Sequence, residues 1–80
     1  MLVMYSKDNC PQCLQAEMLM KMNGVDYKVV KMGVDMNRDE IVELFSTITT
    51  PPHKSFPMIT IKGDREIYLG GLNDLKNHLA

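Results

Sequence analysis

Two cysteines, separated by two residues, have the types and spacing best suited to chemistry in this chain. They lie in the segment Cys10-Pro11-Gln12-Cys13, and the chain contains no other cysteine. In the chain-entropy model a disulfide stabilises a fold mainly by closing a long loop, so a bridge across two residues would stabilise this fold little. The pair therefore indicates a chemical role, either in thiol–disulfide exchange or in metal binding.

The surroundings of Cys10 favour thiol–disulfide exchange. Proline is preferred at the first position of a helix, so Pro11 predicts a helix start with Cys10 as the N-cap residue. Unpaired backbone N–H groups and the helix dipole would then stabilise a thiolate and lower the pKa of Cys10. Lys7 would add to this effect, and Asp8 would oppose it. We therefore predict that Cys10 is the nucleophile, and that the more buried Cys13 attacks the mixed disulfide formed on it.

The metal alternative would need further ligands. The two histidines, His53 and His78, are 25 positions apart, which is not the spacing of a zinc finger. Pro11 also resists the rearrangement that a metal cluster between the cysteines would require. We predict no metal site, and a Zn or Fe–S ligand set stays open as the alternative.

Length, composition and charge exclude several classes of protein. The chain has 80 residues, of which 45% are hydrophobic, and a net charge of −1 from 9 basic and 10 acidic residues. This predicts one domain over residues 1–80 with one ordinary core, and the lack of a basic patch argues against nucleic-acid binding. The first apolar run, residues 1–5, is too short for a signal peptide or a membrane span. We expect a soluble, cytoplasmic monomer.

The elements that must position the cysteines alternate between strands and helices. The apolar run before the cysteines predicts a strand buried on both faces, and a hairpin is predicted around Gly63-Asp64. The order β-α-β-α-β-β-α predicts an α/β fold with a four-stranded mixed sheet flanked by three helices. The predicted strands cover residues 1–5, 25–32, 58–61 and 66–69, and the predicted helices cover 11–23, a segment from the N-cap Asn37 to Ile48, and a short last segment capped by Asn73. Residues 49–55 are predicted to form a loop.

The first helix carries much of the chain's methionine. Eight methionines is a high count for 80 residues. Because most of them lie in periodic segments, we interpret them as fillers of the core, the alternative being an adaptable docking surface. Asn23-Gly24 is predicted to end the helix. Its predicted apolar arc consists of Leu14, Ala16, Met18, Leu19, Met20 and Met22.

Taken together, three segments resemble the glutaredoxins of the thioredoxin-like superfamily. Cys10-Pro11-Gln12-Cys13 lies between the first strand and first helix, as in the family. Ser55-Phe56-Pro57 precedes the third strand, where the family carries Thr-Val-Pro with a cis proline. Gly70-Gly71-Leu72-Asn73-Asp74 follows the fourth strand, where the family carries Gly-Gly-x-x-Asp.

The chain departs from the family pattern at several positions. Gln12 replaces the usual Tyr, which is similar to glutaredoxin-like electron donors of ribonucleotide reductase, some of which are reduced by thioredoxin reductase. Ser55 replaces Thr, and the loop predicted at residues 49–54 is longer than the resemblance leads us to expect. These departures concern the source of electrons more than the chemistry.

The resemblance implies a dithiol glutaredoxin that reduces protein disulfides or glutathione mixed disulfides. Glutathione would be a co-substrate, with no tightly bound cofactor, and ribonucleotide reductase is one electron acceptor that the resemblance suggests. One alternative is a thioredoxin-like donor reduced by thioredoxin reductase. Another is a non-enzymatic Fe–S or metal carrier that uses Cys10.

The resemblance also implies a role for each site residue. Cys10 and Cys13 would be catalytic, and the Phe56 backbone, before a cis Pro57, would pair with the substrate backbone. The other residues would hold glutathione: Gly71, Asn73 and Asp74 its γ-glutamyl end, and Lys7 and Gln12 its glycine carboxylate. For Asn73 and Asp74 the alternative is plain helix capping.

Overall fold

The computed structural model describes residues 1–48 and 56–80 and contains the predicted order of elements. The predicted loop at residues 49–55 lies outside the described residues. The four strands are β1 (Leu2–Ser6), β2 (Tyr27–Lys31), β3 (Met58–Lys62) and β4 (Glu66–Gly70). The three helices are α1 (Pro11–Met22), α2 (Arg38–Ile48) and α3 (Leu72–Leu79).

The strands form one mixed sheet in the order β2-β1-β3-β4. β1 pairs with β2 in parallel and with β3 antiparallel, and β3 and β4 form an antiparallel hairpin. This confirms the predicted fold class. The parallel register aligns Ser6 with Lys31, so the chain segments that follow these two residues leave the sheet at the same edge.

β1 is the centre of the core, as its continuous apolar run predicts. All five of its residues are buried, and successive side chains point to opposite faces of the sheet. Leu2 and Met4 join a cluster on the face of α1 and α3, here called the cysteine cluster, whose other buried members are Cys10, Cys13, Ala16, Met20, Ile59 and Leu75. Val3 and Tyr5 join a second cluster on the face of α2, here called the aromatic cluster, whose other buried members are Val30, Ile41, Phe45 and Met58.

A polar contact ties three strands together beside the aromatic cluster. The Glu66 carboxylate accepts hydrogen bonds from the Tyr5 hydroxyl and the Thr60 hydroxyl, each at 2.6 Å. Burial, the hydrogen bond to Glu66 and the charge of Glu66 raise the pKa of Tyr5 well above its ordinary value. Phe45 meets Tyr5 and Tyr68 edge to face, with ring centroids 4.9 Å and 5.7 Å away.

Helix α1 corrects one prediction from the sequence. Only one of its faces is buried, by Cys13, Ala16 and Met20. Leu14, Met18 and Met22, predicted as part of the buried apolar arc, are instead 70%, 62% and 78% exposed. The physical reason is that α1 contacts β1 and α3, which together cover one side of a helix.

The helix ends follow local capping rules, with one exception. Gly24 follows α1 with φ +64°, a left-handed conformation that suits glycine. Asn37 and Glu40 cap the start of α2 reciprocally, through hydrogen bonds of 2.8 Å and 3.0 Å. The predicted N-cap of α3, Asn73, is wrong: the N-cap is Gly71, because α3 begins at Leu72.

Within residues 1–48 and 56–80, no helix combines the length and the hydropathy of a membrane span.

Candidate active site

The two cysteines lie at the start of α1 and are joined by a disulfide, with their Cα atoms 5.3 Å apart. Asn9, in a left-handed conformation with φ 55°, turns the chain from β1 towards the helix, and asparagine tolerates that conformation better than most residues. Cys10 is the N-cap residue, with the extended backbone that such residues adopt. The predicted start of α1 is therefore confirmed.

The backbone of α1 points a hydrogen-bond donor at the first sulfur. The Cys13 N–H donates to Cys10 Sγ, with an N–S distance of 3.2 Å. The Cys10 sulfur therefore occupies the position that a serine or aspartate oxygen takes at an ordinary N-cap. An amide aimed at this atom, together with the positive end of the helix dipole, favours a negative charge on it.

Both cysteines are largely buried, and exposed residues flank them in the chain. Cys10 is 9% exposed and Cys13 is 4% exposed, and both belong to the cysteine cluster. Asn9, Pro11 and Gln12 beside them are exposed. The exposure of the two residues is therefore similar, and the amide donor to Cys10 Sγ is what distinguishes the two sulfurs.

The charges near the cysteines are arranged differently from the sequence expectation. Asp8, which we expected to oppose a thiolate, forms a salt bridge with Lys31 at 2.6 Å. The hydrogen bond to Asp8 and the charge of Asp8 raise the pKa of Lys31. The Asp8 charge is therefore offset locally, whereas Lys7 stays exposed, with its ammonium 5.5 Å from the centre of the Phe56 ring.

The Phe56-Pro57 peptide bond is cis, as the resemblance implies. Pro57 is buried, and the half-buried Phe56 packs against both the cysteine cluster and the aromatic cluster. Phe56 is therefore in contact with the cluster that contains the two cysteines, while its ring also lies under the Lys7 ammonium.

The turn between β4 and α3 is built tightly around Asp74. Oδ2 of Asp74 accepts a hydrogen bond from the Gly71 N–H at 3.0 Å. Gly70 has φ +138°, and a Cβ atom there would collide with the Asp74 carboxylate. A Cβ atom at Gly71 would lie 3.6 Å from the Pro57 carbonyl oxygen, so this turn adjoins the cis proline. Burial and the Asp74 charge raise the pKa of Tyr68.

The predicted site residues fall into two connected groups and two single positions. The first group joins Cys10, Cys13, Phe56 and Lys7, and the second joins Pro57, Gly71 and Asp74. The side chains of Gln12 and Asn73 are exposed in the first turns of α1 and α3. Lys31, the salt-bridge partner of Asp8, was not anticipated from the sequence, and the signal for it is the parallel pairing that places the end of β2 beside the end of β1.

Residues 1–48 and 56–80 contain no group of three or more His, Cys, Asp or Glu side chains that could hold a metal ion. His53, one of the two histidines considered from the sequence, lies outside these ranges.

Comparison with known proteins adds a family and a fold. Residues 2–66 match the family model for glutaredoxin. No curated protein sequence matches the chain.

Solved structures share its architecture. Glutaredoxin 1 from Francisella tularensis, complexed with cacodylate, has a TM-score of 0.74 and 22% identity over 96% of this chain and 88% of its own. A buckwheat glutaredoxin–glutathione complex has a TM-score of 0.72 and 22% identity over 96% of this chain and 66% of its own. Oxidized glutaredoxin 2 from Chlamydomonas reinhardtii has a TM-score of 0.65 and 26% identity over 98% of this chain and 69% of its own.

Proposed function

Because this chain belongs to the glutaredoxin family and is a thiol–disulfide oxidoreductase, we propose that glutathione is its co-substrate. Its substrates in this proposal are protein disulfides and mixed disulfides between glutathione and proteins. The observation that carries the proposal is the Cys13 N–H aimed at Cys10 Sγ, at the start of a helix and between the exposed residues Asn9 and Pro11. The buckwheat relative, solved as a glutathione complex, supports the choice of co-substrate.

The proposed reaction with a protein disulfide proceeds by two exchanges at Cys10. The Cys10 thiolate attacks one sulfur of the substrate, forming a mixed disulfide and releasing the other sulfur as a thiolate, which takes up a proton. The Cys13 thiol then loses its proton and attacks Cys10 Sγ. This second step forms the Cys10–Cys13 disulfide seen in the structure and releases the substrate in its dithiol form.

Two molecules of glutathione complete the proposed cycle. The first attacks Cys10 Sγ and forms a mixed disulfide there, which frees Cys13 as a thiol. The second attacks the sulfur of the bound glutathione, releasing glutathione disulfide and the Cys10 thiolate. With a glutathione mixed disulfide as substrate, Cys10 alone suffices, because the first exchange already leaves glutathione on Cys10.

The groups proposed to bind glutathione lie on both sides of the cis proline. Gly71, Asn73 and Asp74 at the start of α3 suit the γ-glutamyl end, since backbone N–H groups bind a carboxylate and a carboxylate binds an ammonium. Lys7 and Gln12 are proposed for the glycine carboxylate. The Phe56 backbone is proposed to pair with the backbone of the substrate as a short added strand.

A second candidate concerns the source of electrons. Gln12 stands where most glutaredoxins carry Tyr, and its side chain is exposed beside Cys10. This observation favours a donor that thioredoxin reductase recycles, with ribonucleotide reductase as one electron acceptor.

In either case we propose that residues 1–80 act as one domain, as a monomer and in the cytoplasm, where thiols are kept reduced.

A paired reductant assay tests the proposal. The wild-type protein is supplied with either glutathione and glutathione reductase or thioredoxin reductase, and the substrate is a small glutathione mixed disulfide or a protein disulfide. Turnover with glutathione supports the proposal, and turnover only with thioredoxin reductase supports the second candidate. A coloured, cluster-bearing preparation without turnover in either assay would identify a metal carrier instead.

Two variants in the same assay test the assignment of the cysteines. Cys10→Ser is expected to abolish turnover of every substrate, because no nucleophile is left at the N-cap. Cys13→Ser is expected to stop the reduction of protein disulfides while retaining turnover of glutathione mixed disulfides. If Cys13→Ser abolished both activities and Cys10→Ser abolished neither, the roles of the two cysteines would be reversed.

A further inference from the structure

Helix α1 carries an apolar stripe that faces solvent. It consists of Pro11, Leu14, Met18 and Met22, and is here called the α1 stripe. At 100° per residue these four positions lie on one face of the helix, opposite the buried Cys13, Ala16 and Met20. The three larger side chains are between 62% and 78% exposed. The stripe spans eleven residue steps, or about 17 Å at the helical rise.

None of the four residues of the α1 stripe is charged. Its exposed neighbour Gln15 is neutral, and the Glu17 carboxylate is directed to the Tyr27 hydroxyl at 3.1 Å. Lys21, an exposed cation three positions after Met18, flanks the far end of the stripe. A contiguous exposed apolar patch on a protein marks an interaction site more often than a single exposed apolar side chain does.

The position of the stripe indicates what binds it. Pro11, its first member, directly follows Cys10 in the chain, so a molecule that exchanges with Cys10 Sγ must approach this end of the stripe. Glutathione is a tripeptide and is too short to follow the stripe along three turns of helix. A protein partner linked to Cys10 through its own sulfur would lie within reach of the whole stripe.

We infer that the α1 stripe docks protein substrates that carry an uncharged apolar segment beside their reactive sulfur. This inference rests on the proposed function and deepens it, because it names the class of substrate that Cys10 prefers. Met18 and Met22 suit such a role, since methionine is flexible and adapts to differently shaped apolar partners. Transient redox complexes bury less than about 1,200 Å² in total, so a stripe of this length provides a sufficient apolar centre.

Matched peptide substrates test the inference directly. One is a helical peptide of about 15 residues, long enough to lie along α1, with a glutathionylated cysteine at one end and leucine at every third or fourth position. The other has glutamine in place of each leucine. The wild-type protein is expected to deglutathionylate the leucine peptide with a five- to tenfold higher kcat/KM, which corresponds to the partial burial of one apolar side chain.

Variants of the stripe then locate the preference on the protein. Met18→Gln and Met22→Gln are each expected to lower the ratio of kcat/KM for the leucine peptide to that for the glutamine peptide to less than twofold. Both are expected to leave turnover of a small glutathione mixed disulfide unchanged. Val42→Gln is the matched control, because Val42 is an exposed apolar residue of α2, on the other face of the sheet. The control variant is expected to keep the full preference. Equal kcat/KM values for the two peptides, or a preference that survives both methionine substitutions, would overturn the inference.

A binding measurement separates this inference from the proposed function. The leucine peptide with serine in place of cysteine is titrated into the oxidised wild-type protein, and the methyl resonances of the methionines are followed by NMR. Shifts of the Met18 and Met22 resonances support docking even if the protein showed no turnover with glutathione. Shifts confined to other methionines, or a wild-type protein that sediments as a dimer while Met18→Gln sediments as a monomer, would assign the stripe to another occupant and refute the inference.

Discussion

Asp74 caps the start of α3 and is proposed to bind glutathione, and the pair of variants Asp74→Asn and Asp74→Ala separates these two roles. In the structure its Oδ2 accepts the Gly71 N–H at 3.0 Å, at the start of α3. In the proposed function its negative charge also binds the ammonium of glutathione. Asparagine keeps an oxygen that accepts the N–H and removes the charge, whereas alanine removes both.

The magnitudes differ for the two roles. Losing a side-chain hydrogen bond at a helix start costs typically about 1 kcal/mol, and losing a favourable charge there costs about 0.3–1 kcal/mol. We therefore expect Asp74→Ala to lower the free energy of unfolding by about 1–2 kcal/mol and Asp74→Asn by less than about 1 kcal/mol. In a domain of this size 1 kcal/mol corresponds to a change in Tm of about 4–8 °C.

The binding role predicts a different pattern. Both variants lack the charge, so both are expected to raise the KM for glutathione by about five- to tenfold, which is about 1–1.4 kcal/mol, with little change in kcat. The assay varies glutathione at a fixed concentration of a small mixed disulfide, with glutathione reductase regenerating the glutathione. Thermal unfolding of the oxidised protein, followed by circular dichroism, measures the capping role separately.

Asp39→Asn is the matched control, because Asp39 also lies in the first turn of a helix, α2. It is expected to lower Tm slightly and to leave the KM unchanged. A KM that stayed at the wild-type value in both Asp74 variants, with stability lost in Asp74→Ala, would show that Asp74 is a capping residue only. A KM raised by alanine and restored by asparagine would refute the argument from charge.

Three further perturbations have expected outcomes. Tyr5→Phe is expected to reduce the loss of folding stability at high pH. Because the pKa of Tyr5 is raised in the folded protein, the Tyr5 hydroxyl contributes fully to stability below about pH 10. Above that pH its contribution falls by up to about 1.4 kcal/mol per pH unit. Urea unfolding of the oxidised proteins should therefore show the wild type losing stability faster than Tyr5→Phe between pH 10 and 11, and parallel curves would contradict the raised pKa. Gly70→Ala is expected to destabilise the protein by about 1–3 kcal/mol and to raise the KM for glutathione, because its Cβ displaces the Asp74 carboxylate; an unchanged KM would mean that Asp74 does not bind glutathione from this position. Leu75→Ala, at a fully buried position of the cysteine cluster, is expected to cost about 2–5 kcal/mol of stability, and a loss below 1 kcal/mol in chemical unfolding would show that α3 packs loosely on the sheet.

Features controlled by local rules were predictable from the sequence. The apolar run of β1 predicted a strand buried on both faces, and each of its residues is buried. Pro11 predicted the start of α1 with Cys10 as N-cap, and Asn37 predicted the start of α2. In each case the signal lies within a few residues of the feature, so no knowledge of distant contacts is needed.

The burial of α1 was not predictable by the same reasoning. Leu14, Met18 and Met22 are as apolar as the buried Met20, so the helix is hydrophobic on both faces and its periodicity does not show which face meets the sheet. That choice depends on where the sheet and α3 lie. The methionines of the helix therefore divide between a core role and an exposed one, which composition alone does not distinguish.

Two details of the site depend on the backbone path. Asn73 and Asp74 are both residue types that cap helices, and the start of α3 at Leu72 decides that Asp74, and not Asn73, reaches back to the N-cap Gly71. The Asp8–Lys31 salt bridge joins residues far apart in sequence. It becomes predictable only once β1 and β2 are known to be parallel and in the register that aligns Ser6 with Lys31.

The hydrogen bond from the Cys13 amide to Cys10 Sγ has a consequence for the electron affinity of the protein. In the disulfide this amide meets a neutral sulfur, whereas after reduction it meets a thiolate, to which it binds more strongly. The start of the helix therefore stabilises the reduced protein relative to the oxidised one and makes its reduction potential less negative, by about 30 mV for each tenfold of stabilisation. The same amide that prepares Cys10 for attack thus lowers the driving force with which the dithiol passes its electrons on.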